Sequence, residues 1–285
     1  MPEPPPRPRP APQRLSYSAL GAYARCGYRF YLERVLGLPR VAPPPPDEVA
    51  QAGVGVEETV GGLDPRVRGS LVHRLLEDLD YARPAAPSVE VVAEMAAEWG
   101  LEPTADELED VRGLVAAFAR SPLCARLASA RRTRKEAPFS FTLDPAGGGP
   151  LVTGFIDVVA REPDGGALIV DYKSDRLEGA APADVVERDY ATQRLVYALA
   201  ALRDGAPSAE VAYCFLERPG EPVTETFTDA NLLSERLAGL AADLLDGRFP
   251  VTGAPHRELC GDCPGRAAMC SWPETATLAA DPPPR

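Results

Sequence analysis

The order of apolar and polar positions predicts helices in the first part of the chain. A helix begins at Ser16 or Ser18, either of which can cap its first turn, and continues to about Val35 before Gly37 and Pro39 end it. One side of this helix is apolar and consists of Leu20, Tyr23, Tyr28, Tyr31 and Leu32.

Further helices and then strands follow this first helix. Helical patterns begin at Gly69 and cover residues 89–99 and 104–120, the last with a capping box of Thr104 and Glu107. Strand patterns occupy residues 139–143, 151–160, 167–173 and 211–217, with a helix at 183–202 between the last two. This order predicts an α/β fold, specifically an α+β mixed sheet flanked by helices, with the helical N-terminal part covering one side.

Length and proline content predict how the chain is organised. With 285 residues and ample apolar content, it is expected to form one large domain, or a domain with a helical subdomain. Proline-rich ends at 1–14 and 274–285 are expected to be disordered tails around an ordered part at 15–273. Within that part, 39–68 is expected to be irregular and 69–130 helical.

The charge limits the ways in which this chain can bind nucleic acid. A formal net charge of −12 argues against adhesion to DNA over the whole surface, so any contact must be local. Basic residues concentrate in two runs, which solvated helix faces also explain: Arg14, Arg25, Arg29, Arg34 and Arg40, and Arg126, Arg131, Arg132, Arg134 and Lys135. Since neither an apolar run of about 18 residues nor a secretory signal occurs, we expect a cytoplasmic protein.

Two acidic segments lie on either side of a tight turn at residues 163–166. Folding the chain there into a hairpin brings Asp157 opposite the segment that contains Asp171 and Lys173, and the last two share a face of their strand. Two carboxylates with an ammonium group suit Mg²⁺ or Mn²⁺ and the cleavage of phosphodiesters. A surface salt bridge at a strand end is the alternative interpretation of the same residues.

Four other polar residues are candidates for the same site. His73 lies near the start of a helix, and Gln193 and Tyr197 share one helix face because they are four residues apart. Glu136 lies where a strand enters the sheet, as a further acidic contributor or as a salt-bridge partner of the preceding arginines. A satisfied core histidine and a half-polar helix face explain the first three equally well.

The cysteines show a spacing that is typical of metal binding. Cys260, Cys263 and Cys270 form a C-x₂-C-x₆-C cluster, and Cys26 on the first helix is available as a fourth ligand. Four such thiolates hold structural Zn²⁺ or a [4Fe-4S] cluster, and the spacing does not choose between them. Cys124 and Cys214 lie in apolar contexts that favour core positions.

Taken together, these motifs resemble the RecB-like branch of the PD-(D/E)XK nuclease superfamily. The chain is similar to the nuclease domains of helicase-nucleases such as AddB and to CRISPR-associated RecB-like exonucleases. The resemblance extends from about residue 15 to 270 and depends on the order of five motifs and the closing cysteines: residues 18–26, 69–73, 154–157, 171–173, and Gln193 with Tyr197.

The resemblance implies a restriction-endonuclease-like core with a catalytic part at 131–220. It implies that His73, Asp157, Asp171 and the Tyr172 backbone carbonyl bind Mg²⁺ or Mn²⁺, and that Lys173, Gln193 and Tyr197 complete the catalytic set with the two aspartates. It also implies a [4Fe-4S] cluster on Cys26 and the segment 256–272, with Zn²⁺ as the lesser alternative.

The same resemblance implies a DNA exonuclease in repair or recombination. No G-x-x-x-x-G-K-[ST] phosphate loop occurs, so a helicase or ATPase partner is expected in trans or in a longer chain. The alternatives are a catalytically silent DNA-binding or scaffold module of a helicase-nuclease complex, and an exonuclease of the CRISPR-adaptation type.

Overall fold

The computed structural model describes residues 14–41, 63–143, 149–177 and 179–279. The proline-rich start, most of the expected irregular insertion and the last six residues lie outside the described residues. Within the described ranges, no helix combines the length and apolar composition that crossing a bilayer requires.

Between α1 and β5, the elements follow one another in the predicted order of helices, strands, a helix and a strand. The first are β1 (Arg14–Ser16), α1 (Tyr17–Arg25), α2 (Gly27–Phe30) and a π-helical turn (Tyr31–Val35). Then come α3 (Pro65–Asp78), α4 (Val89–Glu98), α5 (Ala105–Ala119), α6 (Pro122–Ala128), β2 (Arg132–Thr142), β3 (Leu151–Arg161) and β4 (Ala167–Lys173). The chain continues with α7 (Pro182–Val185), a second π-helical turn (Val186–Tyr190), α8 (Ala191–Arg203), β5 (Ala209–Phe215), β6 (Val223–Phe227), α9 (Ala230–Leu245), α10 (Arg257–Cys260) and α11 (Glu274–Thr277).

These elements belong to two compact units, which are described separately. The first unit comprises Met1–Val56, Thr142–Val152 and Glu235–Arg285, and the second comprises Glu57–Phe141 and Thr153–Ser234.

The second unit is built on a mixed sheet, which confirms the predicted α/β class. β2 pairs with β3, and the strand order continues as β3, β4, β5 and β6. β4 is antiparallel to β3 but parallel to β5, because α8 crosses over between β4 and β5. β6 returns antiparallel to β5. All residues of β4 except Lys173 are buried, as expected for a central strand covered on both faces.

The predicted hairpin between β3 and β4 is present. The turn contains Gly165, whose φ of +92° lies in the left-handed region that glycine adopts without strain. The Asp164 carboxylate accepts a hydrogen bond of 2.8 Å from the Gly166 amide, which fixes the turn locally. The paired residues of β3 and β4 run from Arg161↔Ala167, beside the turn, to Val158↔Val170. Asp157 and Asp171 are the next residue on each strand, just beyond the last pair.

Helices α3, α5 and α6 cover one face of this sheet. Their apolar side chains form one buried cluster with alternate residues of the central strands, including Leu71, Leu76, Val115, Phe118, Leu168 and Val170. The predicted capping box of Thr104 and Glu107 starts α5. This packing fixes the position of α3, which carries His73, against the strands that carry the acidic residues.

In the first unit, the N-terminal helices pack against residues 248–250. The rings of Tyr23, Phe30 and Tyr31 lie within 6.5 Å of the Phe249 ring, and the Tyr23 hydroxyl donates to the Arg248 carbonyl at 2.6 Å. Gly27 allows the closest approach, because a Cβ there would lie 2.9 Å from the ring of Pro250.

The structure differs from the sequence-based expectation in several elements. The single helix expected to continue to Val35 is interrupted at Cys26, whose extended backbone ends α1 while its sulfur caps α2. The expected strand at 139–143 begins earlier, at Arg132, and neither β6 nor α9 was predicted. The tail expected from residue 274 begins with the short helix α11.

Candidate active site

Three side chains from three elements form a cluster in the second unit. His73 of α3, Glu136 of β2 and Asp157 of β3 each offer a ligand atom, and these atoms all lie within 4.8 Å of one another. His73 Nδ1 is 3.6 Å from Asp157 Oδ2. We call these three residues the metal group, since a nitrogen and two carboxylate oxygens at this spacing can bind one divalent cation.

A glycine allows α3 to approach this cluster closely. A Cβ on Gly69 would lie 2.9 Å from the Ser174 hydroxyl, directly after β4. Arg68 strengthens the same contact by donating to the Ser174 carbonyl at 2.9 Å. The glycine and histidine of the 69–73 motif are thus explained together, because the small residue lets the helix bring His73 to the sheet.

Glu136 reaches the metal group through an unusual backbone conformation. Its φ is +44°, the only positive value among non-glycine residues of the described chain. On a regular strand, Lys135 and Glu136 would point to opposite faces. Here the Lys135 ammonium donates to the carbonyls of Leu76, Glu77 and Leu79 at the end of α3, while Glu136 also points toward α3.

Asp171, Lys173, Gln193 and Tyr197 form a second, buried set of contacts, which we call the lysine network. Lys173 Nζ lies 2.7 Å from Asp171 Oδ2. The Gln193 amide nitrogen donates to Asp171 Oδ1 at 3.0 Å and to the Tyr197 hydroxyl at 2.9 Å. The Tyr197 hydroxyl donates in turn to the Phe155 carbonyl at 2.9 Å. The two helix residues therefore orient the aspartate and connect it to β3.

Two aromatic rings further restrict the lysine. Lys173 Nζ lies 3.8 Å from the centre of the Tyr190 ring and 5.6 Å from that of Tyr213. The Tyr190 hydroxyl donates to the Asp175 carboxylate at 3.2 Å, and the Tyr190 backbone carbonyl accepts a hydrogen bond from the Tyr213 hydroxyl at 3.2 Å. Since a cation is attracted to the face of an aromatic ring, these contacts hold the ammonium group in one position.

Burial and mutual repulsion shift the ionisation of these groups. Burial, followed by the nearby Asp171 charge, raises the pKa of Asp157 well above its usual value. Burial lowers the pKa of His73 although Asp171 acts in the opposite direction, which favours the neutral imidazole that binds metals. For Lys173, burial acts to lower the pKa, but the Asp171 charge and Tyr190 outweigh it and the pKa is raised. Lys173 is therefore a persistent cation.

The metal group passes a chemical test as a divalent-cation site. Asp157 carries a carboxylate whose charge is opposed by burial and by Asp171, and a cation would relieve both effects. Asp157 is also oriented by the Tyr172 amide, which donates to its Oδ2 at 2.8 Å. The oxygen-rich donor set matches the preference of Mg²⁺ and Mn²⁺, with His73 as a ligand that Mn²⁺ accepts readily.

The structure brings the predicted residues together in two sets rather than one. His73 and Asp157 lie in the metal group, whereas Asp171 lies in the lysine network beside it with Lys173, Gln193 and Tyr197. Tyr172 contributes a backbone amide to Asp157. The ligand roles of Asp171 and of the Tyr172 carbonyl stay predictions.

The sequence identifies Glu136 as a candidate acidic contributor, but its place in the metal group depends on a backbone conformation that no local signal predicts. Two contributors are not identified from the sequence: Lys135, which is assigned there only to a basic run, and Tyr190. The only signal for Tyr190 was its position three residues before Gln193 on the same helical segment.

Two residues of the basic run at 126–135, Arg126 and Lys135, make contacts within the protein. Arg126 forms paired hydrogen bonds of 2.7–2.8 Å with Glu162 and Glu210, and Lys135 is occupied by helix carbonyls. In the other run, Arg29 contacts Glu33 and Asp262. These arginines and Lys135 therefore stabilise the fold, and they do not form a free track for phosphates.

In the first unit, Cys26, Cys260, Cys263 and Cys270 line one small cavity of about 10 Å³, which we call the cysteine pocket. All four are free thiols. Burial raises the pKa of Cys260 and Cys263, and the guanidinium of Arg29 acts in the opposite direction. No three of these sulfurs belong to a described group with ligand atoms within 4.8 Å of one another.

A comparison with models of protein families gives one match over most of the chain. Residues 14–270 match the model of the PD-(D/E)XK nuclease superfamily. The match includes the metal group, the lysine network and all four residues of the cysteine pocket.

Curated relatives and solved structures were also found. The chain is 30% identical over 141 residues to an ATP-dependent helicase/nuclease subunit from Anoxybacillus flavithermus, covering 47% of this chain and 11% of that protein. It is 30% identical over 158 residues to the subunit of the same name from Bacillus cereus, covering 49% of this chain and 12% of that protein. The chain thus spans only about a tenth of these relatives. A solved structure from Eubacterium rectale matches with a TM-score of 0.49 and 15% identity, over 92% of this chain and 90% of that one.

Proposed function

Because this chain belongs to the PD-(D/E)XK nuclease superfamily, we propose that it is a deoxyribonuclease that uses Mg²⁺ or Mn²⁺ to hydrolyse phosphodiester bonds in DNA. The observation that carries the proposal is the convergence of His73, Glu136 and Asp157 beside the Asp171–Lys173 ion pair. A surface salt bridge is a poor description of this ion pair, since the Asp171 and Lys173 side chains are only 4% and 12% exposed.

In this mechanism, the metal group and Asp171 would hold the cation, and the scissile phosphate would be placed beside them. When bound, the cation supplies a more acidic water and neutralises charge that develops on the phosphate oxygens. His73 contributes its neutral imidazole, and Gln193 keeps the Asp171 carboxylate in a fixed orientation.

Lys173 acts through its charge. Because its pKa is raised, the ammonium group keeps its proton and stabilises the extra negative charge of the transition state, and it does not serve as the general base. Tyr190 and Tyr213 hold the ammonium group in place.

We also propose that the chain is an exonuclease that works beside a helicase in repair or recombination. The support is that its curated relatives are named helicase/nuclease subunits. A catalytically silent scaffold is disfavoured because such a module would have no need to retain the buried Lys173 and both aspartates together.

The cysteine pocket is proposed to hold a [4Fe-4S] cluster. Four thiols around one tetrahedral zinc ion lie about 4 Å apart, given Zn–S bonds of about 2.3 Å. Among the described residues, no three of these sulfurs lie within 4.8 Å of one another as they would around one zinc ion, which favours the larger iron-sulfur cluster.

Mg²⁺-dependent digestion of end-labelled DNA tests the nuclease proposal. Asp171→Asn and Lys173→Ala are each expected to lower the cleavage rate by at least about 100-fold while DNA binding persists. Asp171→Asn removes a charged ligand of the proposed cation, and Lys173→Ala removes the positive charge that stabilises the transition state. Single-stranded and duplex substrates with free and blocked ends distinguish exonuclease from endonuclease action.

The exposed Asp106 at the start of α5 provides a matched control, since Asp106→Asn makes the same chemical change outside both sets of site residues. Undiminished cleavage by both site variants, or an equal loss in the control, contradicts the proposal.

A further inference from the structure

Phe155 is the most exposed large hydrophobic residue of the described chain. Its side chain is 60% exposed, more than any other large apolar residue in the described ranges. A single exposed apolar residue needs no special explanation by itself. The position of Phe155 beside the site residues gives its exposure a functional meaning.

The backbone of Phe155 is held by the lysine network. Its carbonyl accepts the hydrogen bond from Tyr197, whose side chain is 1% exposed and which also contacts Gln193. The exposed ring is therefore attached to a rigid part of β3, and its orientation does not depend on a flexible loop.

Phe155 is also close to the metal group. It precedes Asp157 by two residues on β3, and residues two apart on a strand share a face at a separation of about 7 Å. A nucleotide next to the scissile phosphate can therefore reach the ring.

We propose that Phe155 stacks on an unpaired nucleobase of single-stranded DNA next to the scissile phosphate. The inference rests on the proposed nuclease function and deepens it by naming the substrate form. Aromatic stacking accepts any base, and only a base that is out of a duplex offers its face to the ring.

The charge of the protein gives this contact added weight. With a net charge of −12, with Arg126 paired to Glu162 and Glu210 and with Lys135 bound to helix carbonyls, attraction of phosphates is limited to the immediate site. A neutral ring provides affinity that does not require a basic surface and that salt weakens little.

Fluorescence anisotropy with a labelled oligothymidylate tests the contact. It uses the full chain in Ca²⁺ in place of Mg²⁺ to suppress cleavage. Phe155→Ala is expected to weaken binding by about 5-fold to 150-fold, the usual effect of removing one base-stacking ring. Phe155→Tyr is expected to restore affinity to within about two-fold of the unaltered protein, because it keeps the ring. A blunt hairpin duplex is expected to bind the unaltered protein and Phe155→Ala with equal affinity.

Leu232→Ala is the matched control, since Leu232 is 48% exposed on α9 and outside both sets of site residues. Binding of oligothymidylate by Phe155→Ala at the unaltered affinity would overturn the inference, as would an equal loss in Leu232→Ala. These results are distinguishable from failure of the proposed function, in which the unaltered protein does not cleave DNA in Mg²⁺ at all.

Discussion

At the scale of single residues, Glu136 shows most clearly what sequence could not provide. A glutamate two residues before a proline gives no signal of an unusual backbone. On a regular strand, its side chain would point to the opposite face from that of Lys135. A φ of +44° places it in a region that costs a non-glycine residue about 1–3 kcal/mol. Such strain persists where surrounding contacts impose it, and here it directs a carboxylate toward His73 and Asp157.

Glu136→Gln tests whether this carboxylate binds the cation. We expect the variant to fold normally and to bind Mn²⁺ at least about 10-fold more weakly in titration calorimetry, because one charged oxygen ligand is lost. Glu77→Gln is the control, since Glu77 lies close enough to raise the pKa of Glu136 but is not in the metal group. An equal loss of affinity in both variants would show a general charge effect and not ligation.

At the scale of elements, Lys135 joins β2 to the end of α3. Its ammonium group donates to Glu77 O at 2.8 Å and Leu76 O at 3.4 Å, and it lies 4.3 Å from the centre of the Tyr81 ring. The last carbonyls of a helix lack partners within the helix and carry partial negative charge. One side chain therefore satisfies the end of the helix that carries His73 and fixes the strand that carries Glu136.

Lys135→Met keeps most of the apolar stem but removes these hydrogen bonds. We expect the free energy of unfolding in urea to fall by about 1.5–3 kcal/mol, the usual value for hydrogen bonds to a charged group. Mn²⁺ affinity should fall as well, because His73 and Glu136 lose their common support. Arg132→Met is the control, since Arg132 is exposed on the same strand, and it should change neither the free energy of unfolding nor the Mn²⁺ affinity. An unchanged Mn²⁺ affinity in Lys135→Met would show that Lys135 does not support the metal group.

At the scale of the whole molecule, the cysteines connect distant parts of the sequence within the first unit. Cys26 ends α1, and the other three cysteines of the pocket lie more than 230 residues later. A cluster bound to all four would tie these segments together and add its binding energy to folding.

We expect the protein purified without oxygen to be coloured and to contain four irons per chain, measured by visible absorption and iron analysis. Cys26→Ala and Cys263→Ala should lose the colour and unfold at a lower temperature. Cys124→Ala and Cys214→Ala are matched controls, since both cysteines are buried outside the pocket and should retain the iron. A colourless protein that contains one zinc ion would contradict the iron-sulfur assignment.

Much of the fold could be predicted because its signals are local. The glycine-containing turn and its flanks rich in Val, Ile and Phe identified the β3–β4 hairpin, and β4 has the predicted bounds. β6 was missed because it is short and mostly exposed, so it lacks an apolar run. The break at Cys26 was missed because it depends on close packing of Gly27 against Pro250, more than 200 residues away.

The sequence by itself determined which chemical groups are available: Asp157, Asp171 and Lys173 on a hairpin, Gln193 and Tyr197 on one helix face, and four cysteines. These follow from residue identity and from the fixed periods of strands and helices. Only the tertiary structure decided that Glu136 joins His73 and Asp157, that the Asp171–Lys173 ion pair is buried, and that Phe155 is left exposed beside them. The physical reason is that backbone strain, close packing and burial depend on residues that are distant in sequence.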